Sequence, residues 1–253
     1  MLAGPLDDER ILDIVRDGLQ SNRVDLVLQP VVSLPQRRLK FYEAFTRIRD
    51  ADGAVLMPQQ YIAIAEREGL ITAIDNMLLF RCVQLVRKTQ RLNQNIGFFC
   101  NFSAYSLTDG HFFNNFVEFM RDNRALAPNL IFEFPQSAIV NRDAEMEEQL
   151  KLLASLGFRF SMDQVSSLNL DYDDLMAQHF KYIKVEAGTL LAELISPTTS
   201  IAIEDIKRVF DRHGMDLIVE KIETEPALIE LLDFRIDFGQ GYLFGEPCLS
   251  AAE

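Results

Sequence analysis

The sequence is poor in cysteine and in basic residues, and it has no long apolar run. Its three cysteines, Cys82, Cys100 and Cys248, are an odd number without CxxC spacing. That argues against a disulfide framework or a cysteine-built metal site and for buried or incidental thiols in a reducing compartment. Lys and Arg number 25 against 38 Asp and Glu, a formal net charge of −13. A phosphate backbone needs a basic footprint, so nucleic-acid polymers and membrane surfaces are poor partners, whereas a small phosphorylated ligand held by a few local cations is not excluded. No apolar run approaches the length of a bilayer span, and the N-terminus is acidic rather than basic-then-apolar. The expectation is a soluble, cytoplasmic segment with no direct membrane insertion; a membrane anchor or sensor upstream would leave no trace in it. The three histidines, His111, His179 and His213, show no ligand spacing, and there is neither a GxGxxG nor a P-loop.

What is present is a regular alternation. A helical pattern over Leu6–Gln20, weakened at Gly18, leads into the strand Val24–Val32, which Pro30 interrupts. Proline lacks a ladder donor, so this first strand is expected to be irregular, at an edge or differently oriented. Leu39–Ile48 follows as a strand with Glu43, Phe45 and Arg47 on one face. Helices are expected from Pro58 to Glu68 and from Thr72 to Thr89. Strands are then expected at 96–102, 129–134, 158–162, 181–185, 215–220 and 236–244, separated by helical stretches that include 141–156 and 200–213. With 253 residues, 48% of them hydrophobic, and no linker long enough to split the chain, this predicts an α/β fold: a single (β/α)8 TIM-like barrel over residues 1–253, its core at about 6–250.

Polar residues collect at the strand ends. Asn101, Glu133, Asp163, Lys184 and Glu220 lie at or near C-terminal ends, Glu43 faces inward and Gln240 sits in the last strand. The C-terminal face is where such barrels keep their chemistry. Oxygen donors without histidine suit a hard cation, Mg²⁺ or Mn²⁺. The segment His111–Phe119 has helical spacing and reads most simply as a core face, with a docking surface as the other reading.

Several ordered motifs make the chain resemble the EAL-domain family, the cyclic di-GMP phosphodiesterases and their non-catalytic relatives. Gln29-Pro30-Val31-Val32 is similar to the family's QPIV strand, and Glu43-Ala44-Phe45-Thr46-Arg47 stands at the name-giving EAL with its following Arg. Ala65-Glu66 with Gly69-Leu70-Ile71, Asn101-Phe102-Ser103 and Glu220-Lys221-Ile222-Glu223-Thr224 match its AE-x-x-GLI, N-x-S and EGVET; Gly239–Phe244 reads GQGYLF. The resemblance implies metal ligands at Glu43, Asn101, Glu133 and the pair at 163–164, where active members hold two divalent metals. It implies Lys184 assisting water or phosphate, Glu220 as the proposed base, and Glu223 supporting the substrate loop and metal site. Gln29, Phe45, Arg47 and Gln240 fall on the ligand cradle, together with Glu43 and Asp163.

The departures point away from turnover. Asp163-Gln164-Val165-Ser166-Ser167-Leu168 stands where the family reads DDFGTG, so Gln164 replaces a metal-binding aspartate and two loop glycines are lost. Glu133-Phe134-Pro135-Gln136-Ser137 replaces E-I/L-T-E-S, with Gln136 for the loop glutamate. The resulting expectation is a cyclic di-GMP receptor with a degenerate phosphodiesterase site, vestigial catalysis at Lys184 and Glu220, and one weakened Mg²⁺ or Mn²⁺ site not required for signalling. It would act through protein partners of the flagellar, pilus or other localisation machinery or as a homodimer, as a domain excised from a longer signalling protein, even a membrane-anchored one. The alternatives are an active phosphodiesterase and a nucleotide-independent interaction module.

Overall fold

The computed structural model describes residues 7–195 and 205–250. Residue 6 and the first part of the helix expected near 200–213 lie outside them. Helix α1 (Asp8–Gln20) is capped by Asp7, whose side chain accepts from the Arg10 N–H at 2.9 Å. Gly18 on its buried face is a close approach, since a Cβ there would meet the Ile48 side chain at 2.6 Å. Strands β1 (Val24–Ser33) and β2 (Arg38–Arg49) form a hairpin, with β3 (Val55–Leu56) added at the end of β2. Helices α2 (Pro58–Arg67), with Pro58 in its first turn, and α3 (Ile71–Arg91) come next.

From there strands and helices alternate: β4 (Gly97–Asn101), α4 (Ala104–Thr108), α5 (Gly110–Asp122), β5 (Leu130–Pro135), α6 (Gln136–Val140), α7 (Ala144–Ser155) and β6 (Arg159–Val165). They continue with α8 (Tyr172–Ala177), β7 (Phe180–Glu186), α9 (Ala187–Ile195), α10 (Ile206–Arg212), β8 (Asp216–Glu220), α11 (Glu225–Leu232), β9 (Phe238–Gln240) and β10 (Cys248–Leu249). The ring runs β1-β2-β4-β5-β6-β7-β8-β9 and closes where β9 meets β1, a TIM-like barrel of eight strands with β3 and β10 outside the ring. β1 is antiparallel to both of its ring neighbours, and the other pairings in the ring are parallel. The disturbance expected at Pro30 is thus one of orientation. Pro30 also sits where one flank of β1 changes partner, from β10 at Val27 and Leu28 to β9 at Val31.

Two elements differ from the expected ones. A short helix not expected from the sequence, α6, precedes the one expected over 141–156, whose start Asp143 caps by accepting from the Met146 N–H. The last strand stops at Gln240 rather than 244. Gly241 takes φ +149 with its Cα against the Ile222 backbone, where a Cβ would lie 2.2 Å from the Ile222 carbonyl oxygen. The chain turns there, and the Ile222 N–H and carbonyl bond Gln240 and Leu243.

The strands' alternation sets two layers inside the ring. Val31, Phe41, Phe99, Ile131, Tyr182, Ile218 and Phe238 fill the lower one. Phe41 packs at 5.1–5.3 Å on the rings of Phe99, Tyr182 and Phe238. Two residues further along each parallel strand, or back along β1, stand Gln29, Glu43, Asn101, Glu133, Lys184, Glu220 and Gln240. Outside the ring a second apolar layer packs the strands against the helices, and the buried Phe113, Phe116 and Val117 of α5 belong to it. The Phe-rich segment is therefore chiefly a core face. Cys82 and Cys100 are buried thiols and Cys248 is exposed. No helix among the described residues is long and apolar enough to cross a membrane.

Candidate functional site

The upper layer opens into a cleft of about 840 Å³ at the C-terminal ends of the strands. At its base lies Lys184, wholly buried, with its Nζ 2.5 Å from Glu43 Oε2, 3.0 Å from Glu133 Oε1 and 2.9 Å from Glu220 Oε1. Phe99 in the layer below presents its ring 5.4 Å from the same ammonium. Glu43 also accepts from Asn101 Nδ2 at 3.3 Å and Gln240 Nε2 at 2.7 Å, and Gln240 Nε2 reaches Gln29 Oε1 at 3.0 Å. One ammonium thus serves three carboxylates, and amides cover Glu43.

Burial is the largest influence on each carboxyl and pushes it upward. At Glu43 the Lys184 ammonium and the hydrogen bonds from Lys184, Gln240 and Asn101 outweigh burial, so its carboxyl is held below the usual range. Glu133 and Asp163 remain raised, and Glu220 is pushed up to about 8. Lys184 is held well above its ordinary value by the surrounding carboxylates, against its own burial.

The donor set fits a hard divalent cation. Glu43, Glu133 and Asp163 each bring an oxygen, all within 4.8 Å of one another. Glu133 Oε2, Asp163 Oδ1 and Gln240 Oε1 are buried without a hydrogen-bond partner, a costly state that a bound cation would relieve at the two carboxylates. Gln164, beside them, is not folded into this cluster. It lies in an irregularity of β6, where the pairing with β7 shifts between Met162 and Val165, and it takes φ +52 with its side chain exposed at the cleft.

The loop after Gln164 is held by its own contacts. Among residues 165–170 none takes positive φ. Leu168 is fully buried, and its carbonyl accepts from the Tyr172 hydroxyl at 2.8 Å. Gln136 holds the loop with both ends of its amide: Oε1 accepts from the Ser166 N–H at 2.9 Å and lies 3.1 Å from its hydroxyl, while Nε2 donates to the Ser167 carbonyl at 2.9 Å. A carboxylate can accept but cannot donate. Gln136→Glu is therefore expected to cost about 1–2 kcal/mol at neutral pH, read from urea unfolding; an unchanged midpoint would contradict this clamp.

Of the residues singled out from sequence, Gln29, Glu43, Phe45 and Arg47 line the cleft, as do Asn101, Asp163, Glu220, Glu223 and Gln240. Glu133 and Lys184 are buried beneath it. Glu223 is exposed at the rim. Three charged cleft residues had been given no role from the sequence: Asp75, Glu186 and Lys221. Asp75 accepts from the Ser103 N–H at 2.8 Å and the Ser106 hydroxyl at 2.6 Å, and burial lifts its carboxyl to about 7. The signal was available, because the helical period places Asp75 on one face with buried Ile71, Leu78, Leu79 and Cys82.

The EAL-domain profile matches residues 12–247. The chain belongs to the EAL-domain family. The probable cyclic di-GMP phosphodiesterase PdeG of Escherichia coli strain K12 is 23% identical over 236 residues; the match covers 93% of this EAL domain and 46% of PdeG, about half its length. Among solved structures, the PaMucR phosphodiesterase in complex with c-di-GMP superposes with a TM-score of 0.79 at 23% identity, covering 94% of this chain and 97% of that one. The FimX EAL domain of Pseudomonas aeruginosa bound to c-di-GMP gives 0.79 at 20%, with 94% and 96% covered. At these identities the likeness shows the fold of this EAL domain.

Proposed function

We propose that this EAL domain is a cytoplasmic receptor for cyclic di-GMP, binding it in the cleft above Lys184 and turning it over slowly or not at all. Residues 1–253 act as one barrel domain whose output is contact with a protein partner. The observation that carries the reading is the split between cradle and metal corner. Gln29, Glu43, Arg47 and Gln240 face one cleft, while position 164 offers a neutral, exposed amide in place of a carboxylate. PaMucR and the FimX EAL domain, both of this fold, hold c-di-GMP.

The chain's own groups suit retention of an anion more than its cleavage. Arg47 supplies a guanidinium at the mouth, partly buried beside the Phe45 ring. Gln29 and Gln240 offer amide groups for base edges or phosphate oxygens. Lys184 cannot leave the base of the cleft without stranding Glu43 and Glu133. One divalent cation held by Glu43, Glu133 and Asp163 would supply positive charge beside the ligand's phosphodiester.

Calorimetric titration with cyclic di-GMP, with and without Mg²⁺, followed by chromatography of the same sample, tests the proposal. Micromolar or tighter binding with the ligand intact is expected. Linear dinucleotide at catalytic turnover would make the domain a phosphodiesterase, the reading that the retained cluster around Lys184 favours. No heat and no shift in melting temperature at saturating ligand would remove the nucleotide altogether.

A further inference from the structure

Seven non-glycine residues among those described adopt left-handed backbone angles. Asn22, Asn93, His179 and Arg235 follow the ends of α1, α3, α8 and α11, and Arg37 turns the β1–β2 hairpin. The remaining two, Gln164 and Lys221, do neither. They directly follow Asp163 and Glu220 at the C-terminal ends of β6 and β8, and both line the cleft. Long side chains adopt this conformation at a cost, which persists where the surroundings impose it and concentrates at ligand sites. At Lys221 (φ +55) the imposing contact is visible. The next residue, Ile222, is locked by its N–H to the Gln240 carbonyl at 3.0 Å and by its carbonyl to the Leu243 N–H at 3.2 Å.

The charge pattern shows what such a lysine can do. The carboxylates lining the cleft are Glu43, Asp75, Asp163, Glu186, Glu220 and Glu223, and the cations lining it are Arg47 and Lys221. β2, which carries Arg47, and β8, which precedes Lys221, are separated in the ring by β1 and β9, so the two cations approach from different sides. Lys221 pairs with Glu186, with the two side chains 64% and 46% exposed. An ion pair so exposed contributes little and is readily exchanged.

We propose that Lys221 is the second cationic contact of the cleft, exchanging Glu186 for a phosphodiester oxygen of the bound ligand while Arg47 takes the other phosphate. This rests on the cyclic di-GMP reading and adds a second residue that supplies positive charge to a cleft lined mostly by carboxylates. A ligand with two phosphodiesters would then be neutralised by two side chains, with no requirement for metal.

The test compares wild type, Lys221→Asn and Lys221→Arg by calorimetry with cyclic di-GMP in EDTA, at low and high ionic strength. Asparagine tolerates the left-handed backbone and removes the charge. Lys221→Asn is expected to weaken binding about tenfold at low salt without lowering the melting temperature, and Lys221→Arg to stay within about threefold of wild type. The gap between wild type and Lys221→Asn should narrow at high salt. Wild-type binding with Lys221→Asn unchanged, or with a gap indifferent to salt, would overturn the role of Lys221 alone. Absence of binding by wild type would overturn the cyclic di-GMP reading and this inference with it.

Discussion

Replacing Lys184 with methionine is expected to cost about 3–5 kcal/mol of stability near neutral pH and markedly less in mild acid. The lysine is wholly buried and its ammonium is the shared partner of Glu43, Glu133 and Glu220. Methionine fills much of the volume but leaves buried carboxylates facing one another without a counter-charge. They can escape only by taking up protons. Glu220 already shows the direction in the wild-type protein, where its carboxyl is raised from 4.5 to about 8, chiefly by burial. A carboxyl raised on folding stabilises fully below its unfolded pKa, and that contribution is lost as pH rises through the folded value. Without Lys184 the other carboxyls rise too, so the deficit of the variant should grow steadily from mild acid to about pH 8. Urea unfolding across this range measures it, and a deficit independent of pH would mean that the loss is one of packing. Mn²⁺ gives an independent readout. It should raise the melting temperature of the variant more than that of wild type, because a cation can replace the missing ammonium.

The second large effect is expected from Gln164→Asp. A carboxylate at this position adds charge and a hard oxygen beside Asp163, and metal affinity should rise by about 10–100-fold. If the missing ligand limits turnover, formation of linear dinucleotide should rise by a similar factor. The backbone favours the change, since aspartate accepts left-handed angles more readily than glutamine does. Direct Mn²⁺ titration separates a failure of binding from a failure of chemistry. Tight metal binding with no gain in hydrolysis, even with Ser166→Gly added, would show that the lost aspartate is not what limits turnover. The second lost glycine cannot be restored in the same way. Leu168 is fully buried, so Leu168→Gly would open a cavity in the core as well as free the backbone.

That loop marks the boundary of what the sequence reveals. The barrel was legible because apolar runs of strand length recur between helical stretches, and the base of the site because strand alternation puts Glu43, Glu133 and Lys184 on inward positions. The antiparallel β1 was half legible, since Pro30 signalled a disturbance without naming its kind. The early stop of the last strand depends on Gly241 meeting the Ile222 backbone, a contact between segments far apart in the chain. Gln136 read as the loss of a glutamate, whereas in the fold its amide matches the Ser166–Ser167 backbone at both ends. Neither partner alone discloses that match. Lys221 and Glu186 were likewise invisible as a pair, because only the parallel pairing of β7 with β8 sets Glu186 beside Glu220 and so within reach of Lys221.

The aromatic layer beneath Lys184 has a kinetic consequence. Phe41, Phe99, Tyr182 and Phe238 stopper the barrel from below, so among the described residues the cleft has a closed floor and opens at the strand ends. A ligand bound above Lys184 would come and go past Arg47 and Lys221. Any protein that seats itself across that opening would set the residence time of the molecule inside, and a trapped occupant would in turn hold the lid in place.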